Sequence, residues 1–482
     1  MKTVIDVPEK IKYLSEWENF ELPNGIFNKV ATPCGATTIA LTDKHKTIIC
    51  SPRNELLKNK HAQHPETLLV IERCDKRTIS DYIDSHKKPK ILVSYDSFPK
   101  VVECIYDYTD WRVVIDEFQY MLSDSCMKSQ VEIRLMLFLK KFHYFTLMSA
   151  TPILEKYIRR ISWFKDMDYT ELKWHNLERI KLIREECKRP IEAAINVVRT
   201  YQRGLFPSLI VDDKKVESKE CVIYLNSVDN ILKIIEQTQL KPEEVNIILG
   251  SNDENDRKLA RLGHKRGSIP LKGEPHKMFT FCTSTAFAGC DFYSTCASSW
   301  VISDSKRINT AVDIATDLVQ IAGRQRLESN PFRKTLTFVY NYNKGGLSEL
   351  EFQADLERRK RTTLAEIRSN NSEPDLELKE KRIRDIVRIQ NAINYGDTFT
   401  MYDEISKKFI FNEMACICEE YLYDLQRHNY INGVIVRKQL DETNFNLSEL
   451  VSVRAYEEQL SESVRNDSFS ESMKRYCNYK SG

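Results

Sequence analysis

Five short apolar, β-branched runs constrain the first third of the chain: TIIC (47–50), LLVI (68–71), ILVS (91–94), VVID (113–116) and FTLMS (145–149). Polar, helix-compatible segments separate them, which is the pattern of βαβ units. Both faces of a parallel sheet are covered, so its strands read as continuous apolar runs rather than alternating ones. A second series follows with CVIYL (221–225), NIIL (246–249), MFTFCT (278–283), WVISD (300–304) and TLTFVY (335–340). Two series imply two parallel sheets and an α/β chain of two lobes, at 1–152 and 216–344, joined by a polar, mainly helical connection at 153–215. From 345 to 482 the sequence becomes charged and helical, with LERRKR (356–361) and the amphipathic LELKEKRIRDIVRIQNAI (376–393) divided by SNNSEP (369–374). A chain of 482 residues is long enough for two or three such cores.

Charge and cysteine content exclude several function classes. Lys plus Arg (72) nearly balance Asp plus Glu (70), so affinity for a polyanion has to come from a local groove and not from bulk charge. No apolar stretch approaches the roughly 20 residues of a membrane helix, and MKTVIDVPEKIKYL has no signal-peptide core. The expectation is a protein that stays in the cytoplasm, a host's cytoplasm if the source is a phage, with no membrane partner. Thirteen cysteines occur without a CxxC pair, Cys416 and Cys418 being the closest, and they read as reduced, mostly buried thiols rather than zinc ligands. In PDLELKEK the letters of a nuclease signature occur, but Asp375 and Glu377 lie two residues apart in a helix-forming run, where a solvated helix face is expected.

The chemistry centres on VVIDEFQ (113–119). An apolar strand ending in Asp116 and Glu117 puts two carboxylates at the carboxyl end of a parallel sheet, where such folds bind ligands. In an NTPase the first acid holds Mg²⁺ and the second orients or deprotonates the attacking water. The strand FTLMSATPI (145–153) then ends in Ser149, Ala150 and Thr151, whose small side chains can hydrogen-bond those acids and pass on their state.

With DEFQ and SAT in place, the chain resembles superfamily 2 helicases, and further segments follow in that family's motif order. VATPCGATT (30–38) lies at the phosphate-loop position, SPRNELL (51–57) and VSYDSF (93–98) look like strand-contact motifs, and CVIYLNS (221–227) resembles the opening of the second lobe. CTSTAFAGCDF (282–292) resembles motif V, and DLVQIAGRQR (317–326) resembles motif VI. The YDS segment and the GRxR spacing are most similar to the branch containing the herpesvirus origin-binding helicase and related phage and mobile-element helicases.

That resemblance implies two RecA-like lobes, ATP and Mg²⁺ as cofactors, and nucleic acid as partner, DNA before RNA. It implies that Asp116, Glu117, Gln320, Arg324 and Arg326 are catalytic, with Thr37 and Asp116 on the metal. Pro33, Cys34, Gly35, Ala36, Thr37, Thr38, Gly289 and Asp291 would bind nucleotide. Arg53, Ser94, Tyr95 and Thr283 would grip a strand, and Ser149, Ala150 and Thr151 would couple the lobes. The C-terminal helices, whose RRKR (358–361) is a dense basic cluster with a solvated helix face as its plain reading, would recruit a replication protein. The loop departs from the family's GxGKT, because Pro33 stands for the first glycine and Ala36 for the lysine that neutralises phosphate oxygens. Lys29, just upstream, is the nearest candidate to supply that charge, ahead of Lys44 and Lys46. Two alternatives stay open: a non-catalytic nucleic-acid clamp on a helicase fold with a degenerate loop, and an RNA helicase.

Overall fold

The computed structural model describes residues 2–32, 34–177, 179–250, 252–288, 290–390, 397–403, 406–443 and 445–447. Two compact units emerge, each assembled from separated pieces of chain: residues 1–177 with 346–424, and 178–345 with 425–482.

The first unit holds an eight-stranded sheet built from β1 (Lys2–Asp6), β2 (Gly25–Asn28), β3 (Lys46–Ser51), β4 (Leu68–Val70), β5 (Lys90–Ser94), β6 (Trp111–Asp116), β7 (Tyr144–Ser149) and β8 (Tyr169–Lys173). The strand order is β1-β8-β2-β7-β6-β3-β5-β4, and every pairing is parallel. Successive residues of the central strands enter opposite cores: Ile48, Val113, Ile115 and Leu147 pack on one face, Ile49, Val114 and Met148 on the other. Burial on both faces is why these strands have no polar alternation.

The second unit holds β9 (Lys181–Glu186), an antiparallel hairpin of β10 (Ser208–Val211) and β11 (Lys214–Glu217), then β12 (Glu220–Tyr224), β13 (Val245–Ile248), β14 (Phe279–Cys282), β15 (Ala297–Ser303) and β16 (Thr335–Tyr340). Its seven-stranded parallel sheet runs β13-β14-β12-β15-β16-β9-β19, where β19 is the short strand Asn446–Leu447. A further hairpin in the first unit pairs β17 (Thr400–Asp403) with β18 (Lys408–Phe411).

One expected boundary needs correction. The stretch 153–215 is not a helical connector. It supplies β8 to one sheet and β9 to the other, followed by a buried-faced helix, Pro190–Gln202, and the β10–β11 hairpin. The described residues after 345 are mostly helical, as expected, and they are built into the two units: the helix Glu413–Tyr423 inserts Met414, Ile417 and Cys418 into the first unit's core. Arg160 donates to Glu420 through both terminal nitrogens, at 2.7 and 2.6 Å, and Tyr157 Oη donates to Asp424 at 2.6 Å. Residues 425–443 belong to the second unit, where Ser303 Oγ donates to the buried Tyr430 hydroxyl at 3.1 Å. The expected helices at 356–361 and 376–393 correspond to Glu349–Asn371 and Leu376–Gln390.

Candidate nucleotide site

At the carboxyl end of β2 the chain makes a tight turn, with Ala31 N donating to Lys29 O at 2.6 Å. Val30 takes the left-handed conformation (φ 60°), unusual for a β-branched residue, and Asn28 Oδ1 accepts its N–H at 3.1 Å. Lys29 N donates to Ser149 O at the end of β7, and Trp174 Nε1 donates to Lys29 O, both at 2.9 Å. Both bonds fix the Lys29 backbone. Its side chain is 6% exposed, with Nζ 3.2 Å from Asp116 Oδ1 and 3.8 Å from Glu117 Oε1.

Asp116 closes β6 and is 2% exposed, while Glu117, 5% exposed, is itself left-handed (φ 54°). That bend lets Glu117 N donate to Asp116 Oδ1 at 3.1 Å, and Gln119 Nε2 donates to Glu117 Oε2 at 2.9 Å. Burial disfavours charge on Lys29 and Asp116, yet the opposite charges outweigh it. Lys29 is held above the ordinary lysine range by Asp116 and Glu117, and Asp116 is held below the ordinary carboxylate range by Lys29 and Lys60.

Lys60 is the residue that motif reading missed. It sits on the helix Asn54–Gln63, donates to Thr37 Oγ1 at 2.8 Å and lies 3.6 Å from Asp116 Oδ2. The alternatives considered from sequence lie elsewhere: Lys44 pairs with Glu21 at 2.6 Å, and Lys46 stands over the Trp111 ring.

The loop itself is braced from above. Leu14 N donates to Cys34 O at 2.7 Å, Gly35 is left-handed (φ 77°), and a Cβ there would come within 3.3 Å of Ser15 Oγ. Cys34 and Ala36 are buried in an apolar cluster with Ile39, and burial pushes the Cys34 thiol up. Position 36 therefore faces the core, which accounts for a small apolar residue there. Thr38 is exposed. Pro33 and Gly289 lie outside the described residues.

Thr37 and Asp116 are oxygen donors of the type Mg²⁺ takes. As arranged they do not fit that ion, since the Thr37 hydroxyl and both Asp116 oxygens are already engaged by ammonium groups.

The expected strand-contact residues of the first unit are turned to internal work. Arg53 makes a two-pronged ion pair with Asp124 (2.8 and 3.2 Å) and stacks over the Tyr120 ring. Ser94 Oγ accepts the N–H of Ser97 at 3.3 Å, and Tyr95 Oη donates to Asp116 O at 3.1 Å. Tyr95 thus props the strand end that carries the carboxylates. Ser149 Oγ accepts the N–H of Thr151 at 2.9 Å, and Ala150 is buried between them.

In the second unit, Arg326 Nε donates to Asp291 Oδ1 at 2.7 Å, and Arg324 Nη1 lies 3.6 Å from the same oxygen. Arg324 is buried and also donates to Gln320, to its carbonyl at 2.7 Å and to Oε1 at 3.2 Å. A bridge between Phe292 and Gln325 holds the two segments in register, with Phe292 N on Arg324 O at 2.8 Å and Arg326 N on Phe292 O at 2.9 Å. Motif V and motif VI positions therefore meet, and Asp291, expected to bind nucleotide, anchors both arginines. Thr283 is buried, its hydroxyl 3.3 Å from that of Thr285.

The remaining candidates resolve as local structure. Asp375 caps the helix Leu376–Gln390 by accepting the N–H groups of Glu377 and Leu378 at 2.9 and 3.1 Å. Within RRKR, Arg358 pairs with Asp355, Lys360 with Glu357, and Arg359 with Glu419 while covering Phe399.

No protein family matches the chain, and no curated protein does. Among solved structures it is similar to S. cerevisiae Dbp5 bound to RNA and ADP BeF3, with 16% identity and a TM-score of 0.46 over 70% of this chain and 84% of that one. It is also similar to the Mycobacterium smegmatis helicase Lhr bound to ssDNA and AMP-PNP, with 13% identity and a TM-score of 0.41 over 68% of this chain and 44% of that one.

Proposed function

We propose that the chain is an ATP-hydrolysing motor on nucleic acid, a helicase or translocase of the superfamily 2 type with two RecA-like lobes. The observation that carries this reading is the buried Lys29 ammonium between Asp116 and Glu117, beside a loop that has lost its own lysine. A buried charge cluster at the carboxyl ends of parallel strands, next to a loop at a helix start, is where such sheets bind ligands.

In this reading Lys29 meets the phosphate oxygens in place of a residue-36 side chain. Glu117, oriented by Gln119, accepts the proton of the attacking water, because a carboxylate within hydrogen-bond reach of a water is a competent base. Asp116, held ionised by Lys29 and Lys60, fixes those ammonium groups in place. Arg324 and Arg326, oriented by Gln320 and Asp291, stabilise charge that develops on the transferring phosphoryl. Ser149, which accepts the Lys29 backbone N–H, reports the state of the site together with Ala150 and Thr151. Contact with the strand falls to the loops that carry Arg53 and Thr283, through phosphates and without base preference. DNA as the strand, and replication of a phage or mobile element as the setting, rest on the resemblance of YDSF and GRQR to the origin-binding branch.

The test is ATP hydrolysis by the full chain with and without single-stranded DNA, RNA and forked duplex. Wild type should be stimulated by one of them, most by DNA, whereas Glu117→Gln should bind nucleotide without turnover. Equal background rates for wild type, Lys29→Ala and Glu117→Gln with every nucleic acid would instead favour a non-catalytic clamp.

A further inference from the structure

Lys60 is absorbed by no motif, yet its ammonium engages the two residues expected to hold a metal, Thr37 and Asp116. It donates to the Thr37 hydroxyl at 2.8 Å and faces Asp116 Oδ2 at 3.6 Å, while Lys29 faces Asp116 Oδ1 at 3.2 Å. An ammonium held against both Thr37 Oγ1 and Asp116 Oδ2 repels a second cation brought to the same two oxygens. Two lysines also bring the same total charge as one divalent cation. From this we infer that the site takes a nucleoside polyphosphate without a divalent cation, Lys60 and Lys29 together supplying the charge that Mg²⁺ would otherwise bring. The inference rests on the nucleotide-site reading above and deepens it by naming the form of ligand bound.

Geometry supports a ligand-directed role over a purely structural one. Lys29 lies within ion-pair distance of both Asp116 and Glu117 and is almost fully enclosed, so it is the cation that holds the two carboxylates together. Lys60 reaches Asp116 from a different element, 23 positions beyond Thr37, and its side chain keeps 19% of its surface exposed, against 6% for Lys29. A cation at the rim of a loop that binds phosphate can turn outward to a phosphate oxygen while staying on Thr37.

The experiment is a fluorescence titration of the full chain with a methylanthraniloyl derivative of ATP, in excess EDTA and in magnesium chloride. Wild type should bind equally well in both buffers, within about threefold. Lys60→Met should lose at least about tenfold in EDTA and recover with magnesium, and Lys60→Arg should behave like wild type. Circular dichroism melts of each variant separate loss of charge from loss of fold. If wild type binds only with magnesium and Lys60→Met is unchanged, the metal-free site is overturned while nucleotide binding stands. Absence of binding in both buffers would remove the nucleotide reading itself.

Discussion

The two units hold their charged clusters on opposite terms. In the first, two carboxylates, Asp116 and Glu117, face two ammonium groups, Lys29 and Lys60, so the buried charges cancel within the cluster. In the second, Arg324 and Arg326 share the single carboxylate Asp291, and positive charge is left over within the trio. A balanced cluster stabilises itself but becomes destabilising when one member is lost. An unbalanced one suits an incoming anion and tolerates loss of its more exposed member.

Removing a member of the balanced cluster should therefore have the largest effect. Lys29→Ala leaves Asp116 and Glu117 together without their nearest cation, and should cost about 3–5 kcal/mol in urea unfolding, besides ending ATP turnover. A variant as stable as wild type would show that the cluster is not self-compensated.

Arg326→Ala should separate the two effects: hydrolysis should fall by about 10²–10³, while the urea midpoint barely moves because Arg324 still faces Asp291. Loss of stability as large as that of Lys29→Ala would erase the contrast between the clusters.

Ala36→Lys sharpens the comparison from the loop side. The residue is buried among Cys34 and Ile39, so the added side chain should cost about 1–3 kcal/mol and should not raise turnover. A faster, equally stable variant would mean that Lys29 does not already serve the phosphates.

pH dependence gives a smaller effect of defined sign. Asp116 has its folded pKa depressed, so its contribution is complete above the ordinary aspartate pKa and is lost as pH falls through the lower folded value. Lys29 has its folded pKa raised, so its contribution is complete below the ordinary lysine pKa and is lost only as pH climbs through the higher folded value. Stability of the first unit should hold from mildly acid to mildly alkaline pH, and Lys29→Ala should flatten the loss on the acid side, because Asp116 without its nearest cation is no longer held as far below the ordinary carboxylate range. The smallest effect is expected at Arg358, an exposed member of RRKR paired only three residues away, where alanine should leave the melting midpoint and nucleic-acid affinity unchanged.

How much of this was legible in sequence follows from burial. All ten apolar runs are strands because a strand covered on both faces shows its apolar side chains without interruption. The half-polar YTELK and KLIREE carry no such run, and so 153–215 read as helical; the largely exposed edge strand KTVID lacks one for the same reason. At the site, Asp116, Glu117 and Lys29 could be named because they adjoin strand ends. Lys60 could not, since it lies in ELLKNKHAQ among other polar helix residues, and only the packing of that helix against β4 and β5 brings it to Thr37. Asp291 was assigned to the ligand because spacing along the chain does not reveal the Phe292–Gln325 bridge that delivers both arginines to it.

The helix Glu413–Tyr423 has a consequence for how the chain is made. Domains generally fold as units in the order in which they leave the ribosome. Here the first unit receives Met414, Ile417 and Cys418 only after the second unit's sheet strands through β16 have been synthesised. For most of translation the N-terminal half would expose the apolar surface that those residues cover, which makes it a natural client for chaperones. A nascent chain ending near residue 345 is an unfinished first unit followed by most of a second, and a cut there yields a fragment with an open core.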